Sequence, residues 1–232
     1  MRKETCEIID GEGVFDIHGS GENILYYNQK PYAYEWSDYL GSIGKYLARS
    51  FLKIEVNKYL QHIRYYAEKG MHDDVKLVYA IDPLLKLLSN GTYELMYPFK
   101  SAECGLDLIN FEEQELVKLY PTALTLICLQ PLRSLDITRI EYFKEKIKDG
   151  VKPVIFVFGL YEASDKYILD GHHKAYAYRS LNVEPNILFI KKIDGKIEVS
   201  EDRITEALNH ILTDVEIIKD IHPLTKHKRI RR

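Results

Sequence analysis

Cysteine is scarce in this sequence. Cys6, Cys104 and Cys128 are odd in number, far apart and never in a C-x-x-C pair, which argues against a disulfide framework and against a zinc site and fits a reducing compartment. Long apolar runs are missing too: none approaches the ~18 uninterrupted residues of a membrane span, and the opening MRKETCEIIDGEG has no apolar core followed by a small-residue cleavage site. A cytoplasmic protein with no membrane contact is the expectation. No charge of one sign dominates. A formal net charge of −3 and a pI near 6.3 leave no global electrostatic case for nucleic acid or an anionic surface, so any such affinity must be local.

What is present is ordinary globular material, 46% hydrophobic and 29% charged, enough to bury a core. A chain of 232 residues makes one large domain or two small ones at roughly 100–200 residues each. Tyrosine is abundant, 18 residues against a single Trp36, and supplies amphipathic packing surface. Residues 11–41, rich in Gly, Asn and Tyr, read as loops with one or two short strands. From 42 to 69, Ile43, Tyr46, Leu47, Phe51, Ile54, Tyr59, Leu60 and Ile63 recur at three and four residues, which predicts a helix stopped at Gly70. A second helix is predicted over 74–88, interrupted near Pro83, then a strand over 92–99 and a short amphipathic helix over 111–119. The expected organisation is a mostly helical N-terminal region, 1–120, docked on a second part, 121–232.

In that second part the pattern is α/β. Continuous apolar runs at 123–129 and 154–158 predict buried strands. A helix over 137–149 ends at Gly150 with Pro153 beyond. A strand over 166–169, a helix over 172–182 carrying small Ala175 and Ala177, a closing strand over 186–190 and an amphipathic helix over 201–212 complete it.

One constellation carries chemistry: Asp170-Gly171-His172-His173-Lys174, where an apolar strand ends and a helix begins. That junction presents unpaired amides and the positive end of the helix dipole, a ready anion site. Gly171 permits a positive φ and the close backbone approach a phosphate needs. His173 and Lys174 can add charge-assisted hydrogen bonds, and Asp170 can cap the helix, hold magnesium or accept a proton. An Asp-Gly before a helix also serves simply as cap and turn. Adjacent histidines on a helix point ~100° apart, which disfavours a metal held by the pair.

The strand, D-G-H-H-K and small-residue helix together resemble the signature of the ParB/sulfiredoxin superfamily over about residues 124–192, with the K-x-G-x-x-P of Lys148, Gly150 and Pro153 included. The resemblance implies an α+β fold with a ParB/sulfiredoxin-like α/β domain. It also implies a nucleotide (ATP, ADP or CTP, with or without Mg²⁺) held by its phosphates. Gly171, His172, His173 and Lys174 inherit the phosphate-binding motif, and Asp170, His172 and His173 become the candidate catalytic residues. Departures narrow the activity. Sulfiredoxin has a nucleophilic cysteine where His172 stands, and ParB proper needs an arginine-rich motif and a DNA-reading helix-turn-helix that the roughly forty residues after the last strand do not supply. ParB-like free-serine kinases carry a glutamate base in the first loop where this chain has Arg133. Arginine stays protonated and cannot be a base, though it can be a second phosphate clamp. Asp136 or Glu141 would have to serve instead, and both also fit helix capping. The expected function is therefore a nucleotide-dependent phosphotransferase or hydrolase. A non-catalytic nucleotide-sensing or protein-interaction module is the alternative, and a ParB-like nuclease or nucleic-acid binder using the basic run at 226–232 is a third.

Overall fold

The computed structural model describes residues 1–20, 22–37, 44–50, 63–71, 74–100, 106–110, 116–120, 124–160 and 166–212. Among these, 41% are in strands and 29% in helices, arranged as two packed sheets. The seven-stranded sheet has the order β1-β6-β12-β10-β11-β9-β7, comprising Arg2–Ile8 (β1), Gly91–Phe99 (β6), Leu106–Ile109 (β7), Leu124–Cys128 (β9), Val154–Leu160 (β10), Lys166–Asp170 (β11) and Asn186–Lys192 (β12). The five-stranded sheet is antiparallel, β2-β3-β4-β5-β8, from Phe15–Gly19 (β2), Asn23–Tyr27 (β3), Lys30–Ser37 (β4), Lys45–Arg49 (β5) and Leu116–Leu119 (β8). Helices α1 (Arg64–Lys69), α2 (Leu77–Ala80) and α3 (Asp82–Leu85) are short, while α4 (Ile137–Lys148), α5 (His172–Leu181) and α6 (Glu201–Ile211) are longer.

Alternation along the strands sorts the side chains into four layers. In β10 and β12, Ile155, Val157, Ile187 and Phe189 turn toward Phe143 and Ile147 of α4 and Ala175, Ala177 and Tyr178 of α5. Their neighbours Phe156, Phe158, Leu188 and Ile190 turn the other way, onto Phe15, Ile17, Leu25 and Leu47 of the five-stranded sheet. That sheet's far face, with Ile24, Tyr34 and Trp36, is covered by Ile204, Ala207, Leu208 and Ile211 of α6. The order is helices, sheet, sheet, helix. A charged cluster also bridges the sheets: Lys192 Nζ of β12 donates to Asp16 Oδ1 of β2 at 2.5 Å and to Ser89 Oγ at 3.1 Å. Ser89 Oγ donates to the same carboxylate at 2.7 Å, and His18 Nε2 lies 3.0 Å from its other oxygen.

This architecture overturns the expected fold class, a ParB/sulfiredoxin-like domain behind a mostly helical N-terminal region. Among the described residues up to 120 there are eight strands, and helices of only four to six residues. The helix expected over 42–69 is replaced at Lys45–Arg49 by β5, paired with β4 and β8; 51–62 lie outside the described residues, and only the last turns survive as α1, ending at Gly70 with φ 94°. The expected helix over 111–119 is instead β8 at Leu116–Leu119, with 111–115 outside the described residues. Three- and four-residue spacing was outweighed by cross-strand pairing and by the preference of Tyr for a pleated surface. Residues 11–41, expected to be loops with one or two short strands, hold three strands. Asn28 and Gln29, at φ 49° and 62°, make the two-residue turn of primed type that joins β3 to β4. The seven-stranded sheet also draws β1, β6 and β7 from before residue 120 and the other four strands from after it.

Candidate functional site

Strands β9 and β11 are parallel neighbours, so the loops leaving them open at the same end of the sheet, where ligands commonly bind in α/β arrangements. One loop leads into α4 and the other into α5. The two helix N-termini meet there: His173 Nε2, in the first turn of α5, accepts a hydrogen bond from the amide of Asp136, the N-cap of α4, at 3.1 Å.

The five motif residues are brought together, with roles that differ in part from those their order suggested. Gly171 has φ 107°, the left-handed region glycine favours. The space left by its missing Cβ is taken by the protein itself, since a Cβ there would stand 3.1 Å from Ile155 Cα of β10. His172 is buried, and its Nε2 accepts from the amides of Leu129 at 3.0 Å and Gln130 at 3.3 Å. A nitrogen that accepts carries no proton, so this imidazole is neutral with its hydrogen on Nδ1. Burial pushes its pKa down to about 3, which keeps the acceptor in place at neutral pH. His173 is likewise held below its usual value, by burial first and then by the Arg139 guanidinium. Lys174 is buried and donates to Val154 O at 2.9 Å and to Asp170 Oδ2 at 2.8 Å. Burial opposes ionisation of Asp170, but the Lys174 ammonium outweighs it and holds the carboxyl below the usual range.

The first loop is therefore pinned by side chains. His172 holds Leu129 and Gln130, Asn110 Oδ1 accepts from Leu132 N at 3.2 Å, and His173 holds Asp136. Asn110 in turn donates to Tyr176 OH of α5 at 2.9 Å. Asp136 caps α4, accepting from Thr138 N at 2.8 Å and Thr138 Oγ1 at 2.6 Å; these bonds lower its pKa. Glu141 pairs with Lys144 at 2.9 Å on the exposed helix face, not with Thr138 in a capping box. Arg133 lies exposed in the 3-10 turn Leu132–Ser134 of this loop, without an ion-pair partner among the described residues.

One feature escapes a linear reading of the chain. Arg139, in the first turn of α4, is exposed, sits 5.9 Å over the Phe143 ring and acts electrostatically on both Asp170 and His173. The parallel pairing of β9 and β11 is what brings it to the motif, because both helix starts fall at one end of the sheet. The expected cap by Asp170 does not form: α5 has no side-chain cap, and the amides of His172, His173 and Lys174 have no hydrogen-bond partner among the described residues. No three His, Cys, Asp or Glu side chains gather to hold a metal among the described residues. The basic run 226–232 lies outside them, and no described helix is long and apolar enough to cross a membrane. Compared with protein-family models, curated proteins and solved structures, the chain finds no match, so the superfamily resemblance stands on the motif residues alone.

Proposed function

We propose that this protein binds a nucleotide through its phosphates at the joined N-termini of α4 and α5, and that it does so as a sensing module rather than as a phosphotransferase. The observation that carries this reading is the uncapped first turn of α5, with three amides unpartnered among the described residues, beside the exposed Arg139. Helix-terminal amides and the dipole favour an anion there, and a guanidinium adds planar, bidentate phosphate contacts. The resemblance of D-G-H-H-K to nucleotide-binding ParB-like proteins makes a nucleotide the phosphate bearer. Arg133, on the same pinned loop, serves as the outer clamp, and any Mg²⁺ arrives with the phosphates. The setting is the cytoplasm, where nucleotides are plentiful.

The non-catalytic reading is favoured because each candidate acid or base is already engaged. Asp170 neutralises Lys174, Asp136 caps α4, and both imidazole Nε2 atoms accept backbone hydrogen bonds. A base must be within reach of the proton it takes and unpaired when it takes it. Titration calorimetry with ATP, ADP and CTP, with and without Mg²⁺, tests the proposal. Binding should be seen for at least one nucleotide, Arg139→Glu should weaken it about tenfold or more through lost attraction and added repulsion, and no phosphate should be released on prolonged incubation. Absence of binding by all three nucleotides, or Arg139→Glu affinity equal to that of the wild type, defeats the site; phosphate release defeats the sensing assignment.

A further inference from the structure

The strand at the start of the chain carries a pattern that the nucleotide site does not use. β1 is the edge of the seven-stranded sheet and pairs with β6 in unbroken antiparallel register from Arg2↔Tyr97 to Ile8↔Gly91. Its other side makes no backbone hydrogen bond from Lys3 to Ile8 among the described residues. The odd-numbered side chains Met1, Lys3, Thr5, Glu7 and Ile9 are all exposed, with Met1 at 70% and Ile9 at 68%. An open, regular edge with no proline and no bulge is a template for another strand.

We infer that β1 pairs antiparallel with β1 of a second copy about a two-fold axis at Thr5, joining two seven-stranded sheets into one. An isologous contact requires a strand complementary to its own reversal, and this register meets the requirement at every exposed position. Residues whose numbers sum to ten face one another. Lys3 meets Glu7 of the second copy, Met1 meets Ile9, and Thr5 meets Thr5, with the first two contacts occurring twice. Opposite charges, apolar pairs and Thr–Thr pairs are each favourable directly across an antiparallel ladder. The neighbouring registers of the same facing do not work. At the same exposed positions, an axis at Glu4 makes Met1 face Glu7 and an axis at Cys6 makes Lys3 face Ile9. Edge charges ordinarily repel added strands, but here both signs are placed so that they admit one partner in one register. Among the described residues Lys3 reaches only Glu94, at 4.0 Å, a contact loose enough to share. With about nine residues a side, the contact is smaller than the roughly 20–30 of a standard interface, so the dimer should depend on concentration.

Sedimentation equilibrium on the full chain, with Lys3→Glu, Glu7→Lys and the double exchange, tests this. Both substituted positions are exposed, and circular dichroism checks that the fold is kept. The wild type should dimerise, each single reversal should weaken the dimer about tenfold or more by turning two attractions into two repulsions, and the double exchange should restore it. A wild type that stays monomeric at the highest soluble concentration, or a dimer indifferent to the reversals, overturns the inference.

Discussion

The two buried-charge clusters of this protein are built alike and assembled differently. In one, Lys174 is neutralised by Asp170 four residues earlier; in the other, Lys192 is neutralised by Asp16, 176 residues away. Each ammonium is buried, each carboxylate is held below its usual range, and each cluster ties two elements together. The first stands out as a motif because its residues are consecutive, and the second has no signature at all. A motif's visibility therefore says little about its role. The lysine of D-G-H-H-K reads as a phosphate ligand, yet the Asp170–Lys174 spacing of one helical turn is itself a pairing signal, and the pair forms. What the motif leaves without a hydrogen-bond partner among the described residues is the backbone amides of His172, His173 and Lys174.

If the motif's first task is holding the fold, breaking it should cost stability before it costs binding. Gly171→Val has the largest expected effect, a loss of about 3–5 kcal/mol, from a β-branched residue forced to a positive φ with its Cβ against Ile155. Urea denaturation reads this, and a midpoint equal to that of the wild type would show that the turn can relax. His172→Ala should follow at about 2–4 kcal/mol, because it leaves a buried and a half-buried amide without an acceptor and opens a cavity. His172→Gln, which can still accept, should recover part of the loss; equal costs for the two would separate His172 from the loop it holds.

Asp16→Asn should have the smallest effect of the three, about 2 kcal/mol at pH 7, because it removes the partner of a buried lysine while keeping the shape. Its pH dependence sharpens the comparison. The Asp16 hydrogen bonds with His18, Lys192 and Ser89 outweigh burial and lower its pKa, so its contribution is complete above the unfolded value of about 3.9 and disappears as pH falls through the lower folded value. The wild type and Asp16→Asn should thus converge only in strong acid. His172 acts earlier. Its folded pKa of about 3 lies below the unfolded value of about 6.5, so its contribution is full above that value and declines as pH falls toward the folded one. Wild type and His172→Ala should begin to converge below about pH 6.5, while the Asp16 pair remains apart until below about pH 4. Convergence of both pairs in the same window would mean that the two clusters are not independent.

Legibility followed burial on both faces. Strands β9 and β10 and helix α4 lie where apolar runs, an Asp cap and a Gly-Pro stop place them, because a continuously apolar segment of strand length has few other uses. The N-terminal part is not legible locally, because its short strands are set by distant chain partners. Lys-Tyr-Leu-Ala-Arg is β5 only because β4 and β8 flank it, and nothing within five residues announces that. At the site, the motif, the helix start and the Asp136 cap were legible. Arg139 and Asn110 were not, because their relevance depends on which strands are neighbours.

By itself the sequence determined what depends on consecutive residues: a positive-φ glycine before a helix, the unpaired amides of the turn that follows it, and a buried α/β run on either side. Tertiary structure alone decided that residues before and after 120 share one sheet, that Lys174 faces inward, and that Asp16 meets Lys192. The division has a physical cause. Local conformation is set by steric and hydrogen-bond preferences within a few residues, whereas the partner of a strand edge or a buried charge is chosen by the free energy of the whole packed arrangement.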